Sequence, residues 1–358
     1  MRNSRKINSI LLFKLRYIGD VLMTTPAIRL LRKSYPDAHI TMVVNKGTED
    51  VIRYNPHINR ILTVDRDSVK NAPLFKRISH NLDFLKSLRE RHYDISIDFA
   101  SGDRAAYLSL LAGVPYRIGF SSGEGWRRVI LNRIIDIPNN IHTVMRYLLI
   151  LDEALGLRTE DTAMELYTDK ADDDHITELL KKNNLEEKKI VVIHTGGRYW
   201  FKRWQADKWA SLIDLIQFEL GLSVVITGTE NERKDIGDII SRLKTPACSI
   251  AGQTTVLQLA SLLKKAKLFI GNDSGPMHIA AAVGAPVIAL HGPTDPSVWG
   301  PWGKGHTVIS SHVTCSPCKL TDCVVEKGKC MEQISVEEVW QTVNRDSAYL
   351  FSSDSACK

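Results

Sequence analysis

The sequence predicts an α/β protein built from two successive Rossmann-like halves, each with a parallel sheet. Three observations predict it. Short apolar segments alternate with amphipathic helical segments, one polar stretch interrupts this alternation before it restarts, and glycine or acidic residues follow several of the apolar segments. At 358 residues the chain is too long for one ordinary core and fits two domains.

The first half begins with a buried strand over residues 9–15. A turn containing Gly19 and Asp20 follows, and then an amphipathic helix over 21–32 in which Pro26 is expected to introduce a kink. The same patterns predict further strands at 39–44, 60–64, 93–97 and 117–120, and helices at 79–91, 104–112 and 143–155.

A polar, irregular segment over 159–174 contains the predicted domain boundary, with Asp172 to Asp174 leading into the next helix. We expect an N-terminal domain over 1–165 and a C-terminal domain over 166–358, facing each other across a ligand-binding cleft. The second half predicts strands at 189–194, 223–227, 248–251 and 266–270, and helices at 206–220, 230–243, 256–264 and 279–283.

Composition is ordinary for a folded protein, with 44% apolar and 25% charged residues. A net charge of +6 suits an acidic partner, such as a phosphorylated sugar, an anionic membrane surface or nucleic acid. The apolar run near the N-terminus is interrupted by Lys14 and is too short for a signal-peptide core. The longest apolar stretch, 279–290, contains Gly and Pro and is too short to cross a bilayer. We therefore expect a cytoplasmic protein with reduced cysteines.

Two common nucleotide-binding motifs are absent from the sequence. No Gly-x-Gly-x-x-Gly follows a strand, which argues against a nicotinamide dehydrogenase, and no P-loop is present. The Asp-Arg-Asp tripeptide at 65–67 matches the two-carboxylate pattern of metal-dependent sugar transferases, but we interpret it as solvated surface.

The segment 271–278, Gly-Asn-Asp-Ser-Gly-Pro-Met-His, lies between a predicted strand and a predicted helix. Ser274 is placed to cap that helix and Pro276 suits its first turn. Free N–H groups and the helix dipole make such a turn attractive to phosphate, and such turns lie where ligands bind in open α/β sheets. The alternative is a well-capped helix without a ligand.

Asp20 opens the first helix after the first strand. A carboxylate at this edge can act as a general base that deprotonates an attacking hydroxyl. The alternative is a helix N-cap, a position that Asp also favours.

Two neighbouring patterns indicate a phosphate site in the second half. Thr195 and Gly196 end its first strand, where the hydroxyl can donate to a phosphate oxygen and the glycine permits close approach. Lys202 and Arg203 precede the next helix and offer the cations that a departing diphosphate needs. The alternative is a pair of basic side chains that extend to solvent at a helix entry.

The segment 228–232, Gly-Thr-Glu-Asn-Glu, ends the following strand. An acidic residue after such a strand often accepts hydrogen bonds from ribose hydroxyls. Enrichment of Glu in the first turn of a helix is the alternative.

Four cysteines, Cys315, Cys318, Cys323 and Cys330, lie within sixteen residues. Four thiols can bind zinc, but the spacing lacks a pair of Cys-x-x-Cys motifs. We favour free or redox-active thiols.

A series of basic residues is interpreted as a solvated face, with an anionic acceptor at a membrane surface as the alternative. It comprises Lys70, Lys76, Arg77, Lys86, Arg89 and Arg91, and further on Trp126, Arg127 and Arg128.

In these motifs the sequence resembles the bacterial ADP-heptose:lipopolysaccharide heptosyltransferases, glycosyltransferase family 9. The matching stretches are 18–22 with 24–26, Lys202-Arg203-Trp204, the segment 271–278, and His291-Gly292-Pro293-Thr294-Asp295-Pro296. Cys330-Met331 followed by Ile334 and Val339 also fits. Segments 46–50, 55–59 and 198–202 look most similar to the heptosyltransferase III subfamily, which adds a side-branch heptose to the inner core.

The resemblance implies a GT-B fold, an acceptor-binding first domain and a donor-binding second domain. It further implies inverting transfer that needs no metal or other cofactor, with ADP-heptose as co-substrate. The acceptor would be the lipopolysaccharide inner core, met at the cytoplasmic face of the inner membrane, and no nucleic acid is expected as a partner.

Carried over by position, Asp20 would be the catalytic base and Lys202 would bind the phosphates. The other implied donor-binding positions are Thr195 and Gly196 at the pyrophosphate, Arg203 beside Lys202, Glu232 at the ribose, Thr254 at the adenine, Asp273 at the sugar hydroxyls, and Ser274, Gly275, Pro276, Met277 and His278 in the phosphate turn.

Three alternatives remain open on sequence alone. Transfer could be of the heptosyltransferase I or II type. A nucleotide-sugar epimerase also uses two Rossmann-like halves, but it needs no lipid acceptor. A non-catalytic nucleotide-sugar binding module is the third, and the presence of both Asp20 and Lys202 counts against it.

Overall fold

The computed structural model describes residues 6–65, 73–100, 102–120, 127–311, 313–318, 322–323 and 329–352. The chain divides into two compact units, Met1–Tyr167 and Thr168–Lys358. Arg66, Asp67, Lys70 and Trp126, which figured in the sequence analysis, lie outside the described residues.

The first unit contains a six-stranded parallel sheet with the order β3-β2-β1-β4-β5-β6. Its strands are β1 (Ser9–Lys14), β2 (His39–Asn45), β3 (Arg60–Val64), β4 (Ile95–Asp98), β5 (Tyr116–Phe120) and β6 (Arg133–Ile135). β1 lies in the centre and is buried throughout, as its almost continuous apolar sequence requires of a parallel strand covered on both faces. In register, Phe13 of β1 pairs with Asp98 of β4, so the carboxyl ends of these two strands lie side by side.

The helices of the first unit are α1 (Ile18–Leu22), α2 (Thr25–Ser34), α3 (Leu74–Arg89), α4 (Asp103–Leu111), α5 (Arg127–Ile130) and α6 (Thr143–Leu155), with a short 3-10 helix at Glu49–Ile52. α6 ends at Gly156 in the left-handed conformation, a common helix stop. α3 and α4 pack Phe84, Leu88, Ala105 and Leu108 onto the core beneath the sheet.

The helix predicted over 21–32 is present for most of its length as α2, but the structure has a full break before Pro26, between α1 and α2, where the sequence predicted only a kink. Pro26 has no N–H for the carbonyl of Leu22, four residues earlier, so a continuous helix would leave that oxygen without its bond. The hydroxyl of Thr25 donates to this carbonyl instead, at 2.8 Å, and the hydroxyl of Thr24 donates to that of Val21 at 2.6 Å. The proline therefore ends one helix and begins the next.

The second unit contains another six-stranded parallel sheet, with the order β12-β11-β10-β7-β8-β9. Its strands are β7 (Ile190–His194), β8 (Ser223–Thr227), β9 (Cys248–Ser249), β10 (Leu268–Asn272), β11 (Val287–His291) and β12 (His306–Ser310). β7 and β10 are central neighbours. The segments that follow them therefore start from the same edge of the sheet.

The helices of the second unit are α7 (Lys170–Lys182), α8 (Ala206–Leu220), α9 (Arg233–Ser241), α10 (Val256–Lys265), α11 (Gly275–Ala282), α12 (Pro296–Trp299), α13 (Lys329–Gln333) and α14 (Val336–Ser352), with 3-10 helices at Trp200–Lys202 and Glu230–Glu232. Asp172 to Asp174 lie inside α7, where the sequence predicted a lead-in. Asp169 is the N-cap and accepts from the N–H of Asp172. Trp204, Trp209 and Met331 contribute to the core of this unit.

No helix in the described part of the chain is long and apolar enough to span a membrane.

Candidate active site

Asp20 lies in the first turn of α1, just past the carboxyl end of β1. The N-cap of α1 is Tyr17, so the interpretation of Asp20 as a cap was wrong. Its carboxylate instead forms an ion pair with Lys14, with Nζ 3.0 Å from Oδ1. The Asp20 side chain keeps 14% of its surface exposed, against 6% for Lys14. A carboxylate that is partly accessible and held by a fixed cation is suited to a positioned general base.

Lys14 is held on three sides. Its ammonium donates to the carbonyl of Phe99 at 3.0 Å, pairs with Asp20, and lies 4.8 Å from the centre of the Tyr147 ring. Burial alone would lower the pKa of Lys14, but Tyr147 and Asp20 outweigh it and raise this pKa above its ordinary value. The lysine is therefore a permanent positive charge beside Asp20.

A second buried ion pair lies behind this one. Asp98 and Arg127 are 3.0 Å apart, and each side chain is only 2% exposed. Burial raises the pKa of Asp98 to about 7, against the opposing charge of Arg127. Arg127 also donates to the carbonyl of Gly102. The interpretation of Arg127 as solvated charge was wrong, because its partner Asp98 comes from β4 and could not be recognised from the local sequence.

In the second unit, Lys202 and Asp273 form the corresponding pair, with Nζ 2.7 Å from Oδ2. The hydroxyl of Thr294 donates to the same carboxylate oxygen at 2.6 Å, and His291 lies behind Thr294, with Nδ1 3.4 Å from the hydroxyl. Burial would raise the pKa of Asp273, but His291, Lys202 and Thr294 lower it to about 2. The structure thus brings together Lys202 and Asp273, both predicted from sequence.

The N-terminus of α11 lies next to this pair. Ser274 occupies its N-cap position with extended backbone angles, but its side chain makes no capping hydrogen bond, contrary to expectation. Its Oγ is buried and has no hydrogen-bond partner among the described residues. Gly275 and Pro276 form the first turn, while Met277 and His278 are buried behind it. A hydroxyl and a helix N-terminus at one point are suited to bind a phosphate.

Asn272 joins two of the predicted segments. Its side-chain amide donates to the carbonyls of Thr195 and Gly196, at 2.8 and 3.2 Å. The side chain is fully buried, and it fixes the segment after β7 to the turn after β10. Asn272 belongs to the segment 271–278, but the sequence alone predicted no role for it.

Gly196 and Glu232 are also brought together. A Cβ atom at Gly196 would overlap Oε1 of Glu232, so a larger residue here would displace this carboxylate from its observed position. The other oxygen, Oε2, accepts from the N–H and hydroxyl of Thr229 and closes a capping box. Glu232 therefore caps the helix through Oε2, and the ribose contact predicted from the sequence would use the other oxygen, Oε1.

The two other residues that the sequence predicts to bind the donor are Arg203 and Thr254. Arg203 donates to the carbonyl of Gly197 at 2.9 Å and pairs with Asp235 at 2.8 Å, and in the described part of the chain it forms no hydrogen bond with Asp273. Thr254 lies after β9, at the outer end of the sheet, immediately before the capping box that begins α10.

The four cysteines of the C-terminal cluster are among the described residues, and none of them forms a disulfide there. Within the described ranges, no group of three or more His, Cys, Asp or Glu side chains is arranged to hold a metal ion. Of the Asp-Arg-Asp tripeptide, Asp65 is described and forms an ion pair with Lys46 at 2.9 Å.

Known proteins are similar to this chain in both sequence and fold. Residues 81–329 match the model of glycosyltransferase family 9 (heptosyltransferase). Lipopolysaccharide heptosyltransferase 3 of Escherichia coli K12 is 34% identical over 303 residues, which cover 80% of this chain and 83% of the relative.

Two solved structures match nearly the whole chain. The glycosyl transferase family 9 protein of Veillonella parvula has a TM-score of 0.82 at 24% identity, covering 98% of this chain and 99% of that one. Escherichia coli ADP-heptose lps heptosyltransferase II has a TM-score of 0.76 at 22% identity, covering 97% and 99%. The two parallel sheets with their helices thus form the GT-B fold, and the chain belongs to glycosyltransferase family 9, the heptosyltransferases.

Proposed function

We propose that this chain transfers a heptose from ADP-L-glycero-D-manno-heptose to the inner core of lipopolysaccharide, as a heptosyltransferase III-type enzyme. Membership of family 9 and 34% identity to a lipopolysaccharide heptosyltransferase 3 support the donor and acceptor classes. The observation that carries the proposal is the cluster of Lys202, Asp273 and Ser274 at the N-terminus of α11.

In the proposed mechanism, the second unit binds the donor. Lys202 and the N–H groups at the start of α11 contact the diphosphate, and the buried hydroxyl of Ser274 donates to one of its oxygens. Asp273 accepts hydrogen bonds from heptose hydroxyls, because a carboxylate with a pKa of about 2 stays ionised throughout the physiological range. Thr195, Gly196, Glu232 and Thr254 are assigned to the nucleotide.

Asp20 of the first unit is proposed as the base. As the acceptor oxygen attacks the anomeric carbon, the carboxylate takes the hydroxyl proton. The bond from that carbon to the phosphate oxygen breaks, ADP leaves with the electron pair, and the configuration inverts. Lys202 and the α11 N-terminus stabilise the growing charge on ADP, which is the role that we propose in place of a metal ion.

Peripheral association with the cytoplasmic face of the inner membrane is part of the same proposal, because the acceptor is a glycolipid. The net charge of +6 favours an anionic surface.

The test is incubation with ADP-heptose and a panel of truncated core oligosaccharides, followed by mass spectrometry and linkage analysis. We expect a mass gain of one heptose on acceptors that already carry core heptose, and undiminished transfer in the presence of EDTA. Transfer only to an acceptor without heptose would indicate a type I activity. Consumption of the donor with no acceptor product would contradict the proposal, and loss of transfer with EDTA would contradict its metal-independent form.

A further inference from the structure

Exposed apolar side chains are concentrated on one face of the first unit. Thirteen large hydrophobic residues are exposed in the described part of the chain, and seven of them lie on α3, α4 and α5. The seven are Phe75, Ile78, Leu82, Tyr107, Leu110, Leu111 and Val129. We refer to these seven residues as the apolar face. Clustering of this kind is unusual on a surface that meets only water.

On α3 these side chains follow helical spacing. Phe75, Ile78 and Leu82 are separated by three and four residues and so share one side of the helix, while Phe84 and Leu88 face the core. Lys86, four residues beyond Leu82, continues the exposed stripe. The helix therefore has an apolar half followed by a basic end on its outward side.

α3 and α4 lie next to each other and run in the same direction. Arg104 near the start of α4 donates to Asn81, and the guanidinium of Arg89 donates to the carbonyl of Leu111 at the end of α4. These two contacts are eight residues apart on α3 and seven apart on α4, as expected for parallel neighbours. The exposed residues of the two helices thus belong to one continuous surface, and α5 packs on α4 through Ala106 and Ile130.

The charge around the apolar face is positive. The three helices carry seven Lys or Arg residues and two Asp residues, and one of the seven, Arg127, is buried in its ion pair with Asp98, so six basic residues remain. Both aspartates have cations close by, because Asp83 lies 3.9 Å from Lys86 and Asp103 lies 4.0 Å from Arg127. Lys76, Lys86 and Arg128 are all exposed.

We propose that this face docks the protein on an anionic lipid bilayer, with the apolar side chains in the headgroup region and the basic residues at the lipid phosphates. Apolar residues flanked by Lys and Arg are the pattern by which helices lie in a membrane interface. A second copy of the chain fits less well, because a symmetric dimer would place this positively charged face against itself.

The proposal rests on the proposed function in one respect, namely that the acceptor is a glycolipid in the membrane. The C-terminal end of α3 leads after five residues into the start of β4, so its N-terminal end, with Phe75, points towards the carboxyl edge of the sheet. Asp20 follows β1 at that same edge. Docking through the apolar face would therefore bring the edge that carries the base close to the bilayer.

The experiment is vesicle flotation with the full chain and no substrate, so that its outcome does not depend on heptosyl transfer. Vesicles of phosphatidylethanolamine with about a quarter phosphatidylglycerol are compared with vesicles of phosphatidylcholine alone. We expect the wild-type protein to float with the anionic vesicles only. A triple variant, Phe75→Ser with Ile78→Ser and Leu82→Ser, should lose roughly tenfold or more in partition coefficient. Lys76→Glu with Lys86→Glu should lose about tenfold.

Matched controls come from the second unit. Phe218→Ser removes an equally exposed aromatic residue from α8, and Lys234→Glu reverses an exposed charge on α9. Both should bind vesicles as the wild type does. All the substituted side chains are exposed, so thermal unfolding should be unchanged in every variant.

Three results would overturn the proposal. The first is a wild-type protein that does not bind anionic vesicles, and the second is a triple variant that binds them as well as the wild type does. The third is a wild-type protein that binds phosphatidylcholine vesicles equally well. Light scattering after gel filtration measures the oligomeric state and so tests the alternative that a second copy of the chain binds this face. A dimer that the triple variant converts to monomer, without vesicle binding by the wild type, would assign the face to a second copy.

Discussion

Within the residues that the structure describes, each unit contains one shielded lysine–carboxylate pair at the carboxyl edge of its sheet, and the two pairs are built differently. In the first unit, Lys14 binds Asp20 and also the Phe99 carbonyl and the Tyr147 ring. In the second, the carboxylate is the anchored partner, because Asp273 accepts from both Lys202 and Thr294. Among the described residues, Asp273 is the one hydrogen-bond partner of the Lys202 ammonium.

This difference indicates which member of each pair is available for chemistry. A lysine with three fixed partners serves to hold its carboxylate in place. Asp20 is then the member of the pair that is available to accept a proton. A lysine with one partner can exchange that partner for a phosphate oxygen, while Asp273 keeps Thr294. The first pair therefore suits a base and the second an anion site.

Asp20→Asn tests the first half of this comparison and has the largest expected effect. Turnover should fall by roughly 10²–10⁴-fold, since general-base assistance is lost while size and fold are kept. Donor affinity measured by calorimetry should be unchanged. The control is Asp37→Asn, at an exposed aspartate of the same unit, which should have wild-type turnover. Full activity of Asp20→Asn would remove this residue from the mechanism.

Lys202→Met tests the second half. We expect donor affinity and turnover to fall together by about a hundredfold, because the charge on the diphosphate loses its cation in both the bound and the reacting state. Arg203→Met is the informative comparison, since Arg203 is occupied by Gly197 and Asp235 and should matter much less. The assignment would be reversed if Arg203→Met proved the more damaging, as judged by titration calorimetry and steady-state kinetics.

Lys14→Met asks whether the anchored lysine acts through Asp20. We expect turnover to fall by about tenfold while donor affinity stays the same, because the carboxylate of Asp20 loses the cation that positions it. Lys14→Arg should keep turnover close to that of the wild type, since it restores a cation beside Asp20. Equal losses of turnover in Lys14→Met and Lys14→Arg, together with a lowered unfolding temperature, would leave Lys14 with a purely structural role.

The pH dependence of stability sharpens the second pair. The pKa of Asp273 is lowered from an ordinary value of 3.8 to about 2, so the carboxylate stabilises the fold above pH 3.8 and loses this contribution as the pH falls through 2. The difference is worth roughly 2 kcal/mol. Urea unfolding between pH 2 and 6 should show this loss in the wild type and not in Asp273→Asn. Parallel curves for the two proteins would mean that the pair adds nothing to stability.

Much of the fold could be predicted from the sequence, because parallel strands are read as short apolar runs that glycines and acidic residues close. β1 and β7 are examples, and the helix α6 was predicted in the same way from its apolar pattern and the glycine that ends it. At Pro26 a kink was predicted and a full break was found, because the end of α1 depends on the Thr25 hydroxyl taking over one hydrogen bond, a local detail that periodicity does not report. β6, β12 and the C-terminal helices α13 and α14 were not predicted, since they are short or lie in segments of mixed polarity.

The second unit's site was the easier one to find. Asp273 and Ser274 lie in one motif and Lys202 in another, and the structure brings Lys202 and Asp273 together. Lys14 was missed because a lysine in a buried strand is explained only by partners that come from β4 and α6, far along the chain. Thr294 lies in the family motif that begins at His291, but its hydrogen bond to Asp273 depends on the pairing of β10 with β11.

The amide of Asn272 has a consequence for the energetics of ligand capture. Because one buried side chain already ties two backbone carbonyls of the segment after β7, we expect this proposed nucleotide-binding segment to be ordered before a nucleotide binds. Association then forgoes the entropic penalty of ordering that segment. A shorter side chain, as in Asn272→Ala, would restore that penalty and should make ADP binding slower and entropically less favourable, although none of the residues proposed to contact the nucleotide is changed.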